Sequence, residues 1–575
     1  MIQKLLLTLF IFFLLIAGFF HSISAITQDL GRHLLTGQII LQTHSVPKVN
    51  LFSYTYPNFS FINHHWFSEV IFYLTNDVVG FNGLLILTIL TVTAAFAFVY
   101  FYALKKGNIF AVTIISILSL RVLFERTDVR PELFSFLFLS IFIVILYKYR
   151  EHYTRWIFLL PFLELLWVNM HIYFPIGIAV IGLFLIDHFS HVMLNSFQHL
   201  NHQEPRSRNK FGMTKKGTIL IAIFIVSTLA TLLNPNGLEG ALYPFRVFNN
   251  YGYTIEENQT VFFLWNYFHG KTTILYFFIA SSLLFLSLLI TIKKTRPVDW
   301  LLAIFFTYLA ANAERNFPLF VFGTFIPFTN SLSIIFNTIR SQPTRTIVLT
   351  FILLAILIWN INDVIQLRGF GFGVESGAKA GTDFFLTNNL KGPIFNNFDI
   401  GSYLEYRLYP KEKVFIDGRP EAYPASFIQN TYIPMQIDKH VFDTMTKKYT
   451  LNTIFFSYTD QTPWAITFLK QIVQDKTWTM VYLDDYVIIF VKNNNKNPDS
   501  KTQVVINENN MQSLLRLAYF FNTVGWQNQE MSIYQQILTL NPNYCPALYN
   551  LYLILNQKND PLAPVYTQRL QQTCK

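Results

Sequence analysis

The chain has 575 residues, of which 52% are hydrophobic and only 13% are charged. Soluble domains average about 25% charged residues, so this composition excludes a wholly soluble protein and predicts a membrane protein. The formal charge is +10. In a membrane protein the excess of Lys and Arg usually lies in cytoplasmic loops, so this charge does not indicate a nucleic-acid partner.

Apolar runs of membrane-spanning length recur about eleven times before residue 366, against a requirement of about 20 residues to cross a bilayer. Their approximate extents are 4–20, 80–104, 109–123, 131–148, 156–170, 172–188, 218–234, 272–292, 298–311, 317–338 and 347–365. The first run is also compatible with a cleaved signal peptide, although an uncleaved span is favoured.

Basic residues follow alternate runs, for example Lys105–Lys106, Lys293–Lys294 and Arg340. The positive-inside rule makes that side cytoplasmic. We therefore expect a membrane domain over residues 1–366 with a cytoplasmic N-terminus. A first exterior loop at 26–69 and all of the chain after 366 would then lie outside.

The first exterior loop concentrates polar residues that an apolar chain rarely carries without a reason. They are Asp29, Arg32, His33, Asn50, Asn63, His64, His65 and Glu69. Asp29 follows the first span closely, so its carboxylate could act as a general base at the membrane surface. It could instead ligate a divalent cation that neutralises a pyrophosphate leaving group, or simply cap the helix that follows. His65 and Glu69 are four residues apart and would share one face of a helix.

Other exterior loops carry further ionisable groups, and their arginines suit a phosphate because a guanidinium donates paired hydrogen bonds. We assign Arg126, Arg130 and Arg315 to phosphate binding, and His171 to the lining of the same pocket. The alternative is that Arg126 and Arg130 are neutralised by their acidic neighbours Asp128 and Glu132, and that Glu256–Glu257 is a solvated loop face. So many ionisable groups on one side of an apolar bundle favour a polar site.

Residues 370–495 alternate short β-type runs with helical stretches, which predicts a small exterior α/β domain. Thr382 is the predicted N-cap of the helix TDFFLTNN, and LDDY between two apolar runs predicts a hairpin. Residues 505–575 have helical spacing similar to tetratricopeptide repeats, in about two copies, so this unit should lean on the α/β domain. A Cys545–Cys574 disulfide is left open.

The motifs DLGRHLLTG, VPKVNLFSYT and HHWFSE resemble the opening signature of a large group of bacterial multi-span proteins, D-x-G-W-H, P-x-x-D-x-F-S and H-E-W-x-x-E. That group resembles the GT-C superfamily of polyprenyl-phosphate-sugar-dependent glycosyltransferases, which includes protein mannosyltransferase and aminoarabinose transferase types. The segments IGSYLEYRL and VFIDGRPEAY resemble the exterior domain of the same group. The resemblance extends to about residue 495.

The resemblance implies a polytopic α-helical, GT-C-like protein of the bacterial inner membrane, with periplasmic or extracellular C-terminal domains. It implies hexosyl or pentosyl transfer, with Asp29 at the position of the essential acid. Arg32, Asn50 and His65 replace a Trp, an Asp and a Glu of the pattern, which leaves Asp29 and Glu69 as the catalytic candidates. The loss of two acids favours a metal-independent base and leaves an inactive member open.

The predicted reaction moves a sugar from a polyprenyl phosphate in the bilayer to an extracytoplasmic glycan, lipid or protein acceptor. His33, His65, Arg126, Arg130, His171 and Arg315 would bind the substrates. No metal ligand is assigned, and a divalent cation remains open. The main alternative is a non-catalytic scaffold for envelope assembly that binds a protein partner through its helical repeat. A transporter ranks last, because the ionisable groups lie at span ends rather than mid-span.

Overall fold

The computed structural model describes residues 2–23, 29–200, 215–247, 252, 255–338, 371–374, 377–493 and 503–574. Apolar helices dominate the part before residue 339. They are α1 Ile2–Phe19, α2 Leu30–Thr43, α3 Trp66–Lys106, α4 Ile109–Leu123, α5 Glu132–Glu151, α6 Leu160–Met170, α7 Pro175–Leu200, α8 Lys215–Ala230, α9 Gly237–Leu242, α10 Val261–Tyr267, α11 Thr272–Ile290, α12 Pro297–Asn312 and α13 Phe317–Thr338.

The helices agree with the apolar runs of the sequence where the structure describes them. A helix overlaps each of the first ten predicted runs, whereas the run at 347–365 lies outside the described residues. Within the described residues, six helices are long and apolar enough to cross a membrane by length and composition. The structure therefore supports a polytopic helical protein, while the total of eleven spans is not confirmed.

Helix α3 is longer than its predicted span because it begins in the exterior loop. It runs for 41 residues, with a break at Gly80, whose φ of 71° is non-helical. Glycine adopts this conformation at little cost. The segment before the break packs on α2 so closely that a Cβ on Gly37 would collide with the Glu69 carbonyl. This contact fixes α2 beside the first turn of α3.

Residues 377–504 form a small α/β unit, a mixed sheet with helices packed against it, as the alternating runs predicted, while its position outside the membrane stays a prediction. Its elements are α14 Gly377–Thr387, β1 Ile394–Asn396, α15 Phe398–Leu408, α16 Ala425–Phe427, α17 Ile433–Ile437, α18 Lys439–Lys448, β2 Thr453–Ser457, α19 Pro463–Ile472, β3 Trp478–Leu483, β4 Val487–Lys492 and β5 Gln503–Val504. The strand order is β1-β2-β4-β3-β5. Pairs β1–β2 and β3–β5 are parallel, and β2–β4 and β3–β4 are antiparallel.

The predicted hairpin is present, because β3 and β4 pair antiparallel across the short LDDY connection. Asp484 stabilises the turn by accepting hydrogen bonds from the backbone N–H groups of Tyr486 and Val487. The predicted N-cap at Thr382 is wrong. Helix α14 begins at Gly377, and Thr382 lies buried inside it with its hydroxyl bonded to the Lys379 carbonyl. The apolar residues of TDFFLTNN belong to the buried face within the helix and do not indicate where the helix begins.

Four helices close the chain: α20 Met511–Val524, α21 Gln527–Leu540, α22 Cys545–Gln557 and α23 Ala563–Thr573. As expected, they lean on the α/β domain. The Phe520 ring lies 4.6 Å from that of Tyr458, and Arg516 pairs with Asp485 at 3.1 Å. Cys545 and Cys574 form a disulfide with a Cα–Cα distance of 5.7 Å.

Candidate functional site

Asp29 stands at the start of α2, where the first exterior loop meets the α/β domain. It occupies the N-cap position, yet its side chain makes no capping hydrogen bond. The carboxylate lies 3.7 Å from Arg32 one turn later, and its side chain is 34% exposed. The capping alternative therefore accounts for the position of Asp29 but not for the orientation of its carboxylate.

Glu69 is the buried centre of the loop's polar network. Its side chain is fully inaccessible to solvent. One carboxylate oxygen contacts His33 Nδ1 at 2.9 Å and Arg32 Nη1 at 3.3 Å. The other accepts a hydrogen bond of 2.6 Å from Asn63. Both oxygens are therefore engaged within the protein, and Glu69 has no surface exposed to a substrate.

His33 connects this network to a row of aromatic rings. Its ring lies 5.5 Å from that of His65, which stacks on His171 at 5.2 Å. The His171 ring is 4.5 Å from the ring of Tyr173, whose hydroxyl accepts a hydrogen bond of 2.9 Å from Arg315. The predicted site residues from Asp29 to Arg315 thus form one continuous series of contacts.

The surroundings of the histidines in this row favour their neutral form. Burial, with the neighbouring imidazoles His64 and His171, lowers the pKa of His65 well below its ordinary value. Burial and the charge of Arg315 lower the pKa of His171 in the same way. His171 also hydrogen-bonds Ser135 at 2.8 Å, whereas the buried Nδ1 of His65 has no partner. Neutral imidazoles can line a pocket or accept a proton, but they do not supply the positive charge that a phosphate needs.

Positive charge is supplied by three arginines that converge on one carboxylate, Glu257. Arg126 contacts it directly, Arg130 lies at 3.2 Å and Arg315 at 3.8 Å. Burial raises the pKa of Glu257, but the three guanidiniums outweigh burial and lower it below its ordinary value. The alternative that Glu256–Glu257 is a solvated loop face missed this role of Glu257. No local pattern in the sequence indicates which acid will contact the arginines.

The three arginines are not equivalent. Arg126 is buried and paired with Glu132 through two hydrogen bonds of 2.8 and 3.0 Å, as the neutralisation alternative expected. Arg130 and Arg315 each keep 20% of the side chain exposed. Arg126, Arg130 and Arg315 together form the arginine cluster around Glu257. This cluster can attract an anion through its two exposed members.

Sequence reasoning also missed the contribution of the α/β domain to the surroundings of Asp29. A Cβ on Gly418 would lie 2.6 Å from the Asp29 carboxylate and 3.3 Å from the Ser402 hydroxyl. Burial, together with the charges of Asp460 and Asp29, raises the pKa of Asp399 to about 8. The DGRP sequence within VFIDGRPEAY was the available signal, because its glycine permits this close approach.

Asn50, where the bacterial pattern has Asp, is buried against the same DGRP segment. Its oxygen accepts a hydrogen bond of 3.0 Å from Arg419, and its amide donates to the Ala422 carbonyl. Arg419 is bound by both oxygens of Asp417. Burial raises the pKa of Asp417, but Arg419 outweighs burial and lowers it to about 2. Asn50 therefore joins the loop to the α/β unit.

The donors of this loop do not fit a metal ion. Both Glu69 oxygens and the Asn50 side chain are bound within the protein, which leaves Asp29 as the carboxylate available in the loop. In the described part of the chain, no three His, Cys, Asp or Glu side chains are arranged to hold a metal.

The fold is similar to that of a solved archaeal oligosaccharyltransferase. The oligosaccharyltransferase AglB from Archaeoglobus fulgidus, in complex with an inhibitory peptide and a dolichol-phosphate, superposes with a TM-score of 0.56 and 11% identity. The match covers 94% of this chain and 86% of that one. The same archaeon's oligosaccharyltransferase tethered to an acceptor peptide gives a TM-score of 0.53 at 11% identity, covering 86% and 75%.

A third structure of that oligosaccharyltransferase, in complex with Zn and sulfate, matches with a TM-score of 0.51 at 11% identity and covers 91% and 82%. No family model matches the chain, and no curated protein matches its sequence. The structural likeness confirms the resemblance at the level of the fold alone, over 94% of the chain in the first of these matches.

Proposed function

We propose that the protein is a membrane glycosyltransferase that moves a sugar from a polyprenyl phosphate to an extracytoplasmic acceptor, with Asp29 as the general base. The observation that carries this proposal is the placement of Asp29. It is the partly exposed carboxylate of the first loop, and a continuous series of contacts joins it to the arginine cluster. The fold of a dolichol-phosphate-binding oligosaccharyltransferase supports the same class of donor.

In the proposed step, an acceptor hydroxyl or amine attacks the anomeric carbon of the sugar. Its proton passes to the Asp29 carboxylate as the new bond to the anomeric carbon forms. The bond between that carbon and the phosphate oxygen breaks, and its electron pair leaves with the polyprenyl phosphate. Attack from the face opposite the phosphate inverts the anomeric centre.

The remaining residues take supporting roles. Arg130 and Arg315 have exposed guanidinium surface and would neutralise the phosphate as it leaves. Arg126, held by Glu132, would fix the other members of the cluster. Glu69 acts here as a positioning residue, because its buried oxygens hold Arg32 and His33 behind Asp29. His65 and His171 would form the neutral lining between the base and the phosphate.

The test is sugar transfer by the full-length protein in cells that lack the native copy, followed by profiling of glycans and glycolipids. Asp29→Asn keeps the size of the side chain and removes the base, so we expect a loss of the product of about 100-fold or more. Asp443→Asn is the matched control, since Asp443 is an exposed partner of Lys439 in the exterior domain.

If Asp29→Asn, expressed in the deletion strain, restores the complete wild-type glycan profile, catalysis by Asp29 is contradicted. The same result would favour the scaffold alternative, in which the chain is needed but its carboxylate is not. A profile that is lost equally in both variants would point to folding, which a melting curve of each purified variant resolves.

A further inference from the structure

A second polar cavity lies at the end of the helical bundle opposite the candidate site. Helix α5 begins at Glu132 in the arginine cluster and runs 20 residues to Glu151, a length of about 30 Å at 1.5 Å per residue. Around its far end, α5, α7, α8 and the start of α12 enclose a cavity of about 360 Å³. Pockets of about 300 Å³ and above are large enough for small ligands.

Among the described residues, the polar wall of this cavity carries more positive than negative charge. The carboxylate of Asp187 is occupied by Arg150 at 2.8 Å and by the Val298 backbone N–H at 3.1 Å. Glu151 is likewise held by Lys106 at 2.7 Å. Both acids of the lining are therefore neutralised by cations or N–H groups of the protein.

Two cations of the lining have no such compensation. Lys216 donates to the Arg150 carbonyl at 3.4 Å, and Arg296 is exposed at the start of α12. Neither side chain has a carboxylate partner within the described residues. Their charges are thus available to an anion that enters the cavity.

The opposite wall is hydrocarbon. Leu146, Phe184 and Leu220 line it and belong to apolar helices of the membrane domain. A free inorganic anion would gain nothing from this wall, whereas a lipid can place its phosphate on the cations and its chain along the apolar side chains.

We infer that this cavity binds the phosphate headgroup of an anionic membrane lipid, with Lys216 and Arg296 on the phosphate. The inference is independent of sugar transfer, because the cavity and the candidate site lie at opposite ends of α5. Removing one basic residue near a membrane surface weakens the binding of an anionic lipid by about five-fold. The double variant should therefore lose roughly 25-fold in affinity if the two effects are additive.

The experiment is a titration of the full-length protein in detergent with phosphatidylglycerol, with phosphatidylcholine as the neutral lipid, read by native mass spectrometry. The test variant is Lys216→Gln combined with Arg296→Gln. The matched control is Lys293→Gln combined with Lys294→Gln, which removes the same charge from exposed residues that precede Arg296 and do not line the cavity. Melting temperatures without lipid show that both variants fold.

We expect phosphatidylglycerol to bind more tightly than phosphatidylcholine, and the test variant alone to lose that preference. Equal binding of the two lipids, or an equal loss in both variants, would overturn the inference. A parallel titration with millimolar inorganic phosphate separates the two sources of the anion. If phosphate alone stabilises the protein through Lys216 and Arg296 and phosphatidylglycerol adds nothing, the site takes a free phosphate and the lipid assignment is wrong.

Discussion

Individual residues of the candidate site differ in what their surroundings allow them to do. Asp29 and Glu69 are both acids of the first exterior loop, and the sequence alone made both of them catalytic candidates. Their surroundings differ sharply, since Asp29 is partly exposed and Glu69 is fully buried with three donors on its two oxygens. Whether these assignments hold stays a prediction, which single substitutions can test.

Replacing Glu69 should affect stability more than chemistry. A Gln at this position removes the charge that balances Arg32, and leaving a buried charge without its partner costs about 3 to 5 kcal/mol. We expect Glu69→Gln to lower the melting temperature of the purified protein markedly. Glu239→Gln, at an exposed acid, serves as the control. A Glu69→Gln protein with unchanged melting temperature but no transfer activity would restore Glu69 as a catalytic candidate.

Gly418 should set the position of the Asp29 carboxylate. A methyl group there would lie 2.6 Å from Asp29 Oδ1, well inside van der Waals contact, so the carboxylate must move. We expect Gly418→Ala to reduce sugar transfer by at least ten-fold, since small displacements of a catalytic group are costly. Gly182→Ala is the control, because its added methyl meets only an ordinary contact of 3.7 Å with Phe224. Full activity of Gly418→Ala would show that Asp29 is not the base.

Elements of secondary structure were predictable where their signal is local. The LDDY hairpin was predictable because two β-type runs flank a short turn. The helices of the apolar runs were predictable because a membrane-spanning helix needs a continuous run of apolar residues within its own segment. The start of α14 was not predictable, since the Thr382 pattern fits both a cap and a buried helical position. Tertiary burial decided between them.

The hairpin contains a titratable group that makes stability depend on pH. Burial is the largest influence on Asp484 and raises its pKa to about 7, whereas the unfolded chain titrates at about 3.9. Between about pH 4 and 7 the folded protein therefore holds a proton that the unfolded chain has lost. Its stability falls as pH rises through this window.

Asp484→Asn should reduce this dependence, because the amide oxygen can still accept the backbone hydrogen bonds but no longer titrates. The measurement is the melting temperature of the full-length protein and the variant at pH 4.5 and pH 7.5. The raised pKa of Asp399 also makes stability fall as pH rises. We therefore expect the melting temperature of the variant to depend less on pH, but not to become independent of it. An unchanged slope in the variant would show that Asp484 does not remain protonated in the folded protein.

At the scale of the whole molecule, the α/β unit and the segment 29–69 pack together as one unit. Asn50 and Arg419 are 369 residues apart in the chain yet share a buried hydrogen bond. Close approach of α2 to α15 depends on Gly31, whose Cβ would lie 2.6 Å from the Ser402 carbonyl. The membrane domain therefore presents Asp29 to the α/β domain, which we expect to position the acceptor.

The C-terminal helices should depend on their disulfide. Cys545 and Cys574 close a loop across 29 positions, and loop-closure entropy assigns such a crosslink roughly 3 to 4 kcal/mol. We expect Cys545→Ser combined with Cys574→Ser to make this segment more susceptible to limited proteolysis, while the α/β domain stays resistant. Equal protease resistance of the variant and the parent would show that packing against Tyr458 and Asp485 suffices without the crosslink.

The sequence by itself determined the membrane class, the positions of most helices, the α/β character of the segment after residue 370 and the prominence of Asp29 in its loop. These properties depend on composition and on patterns within short segments. The tertiary structure decided which charges far apart in the chain meet. It brings Glu257 among arginines from two other loops, buries Glu69 against His33, and places Gly418 beside Asp29. Such partners are far apart in the chain, so their contact depends on how the helices pack, which no local pattern records.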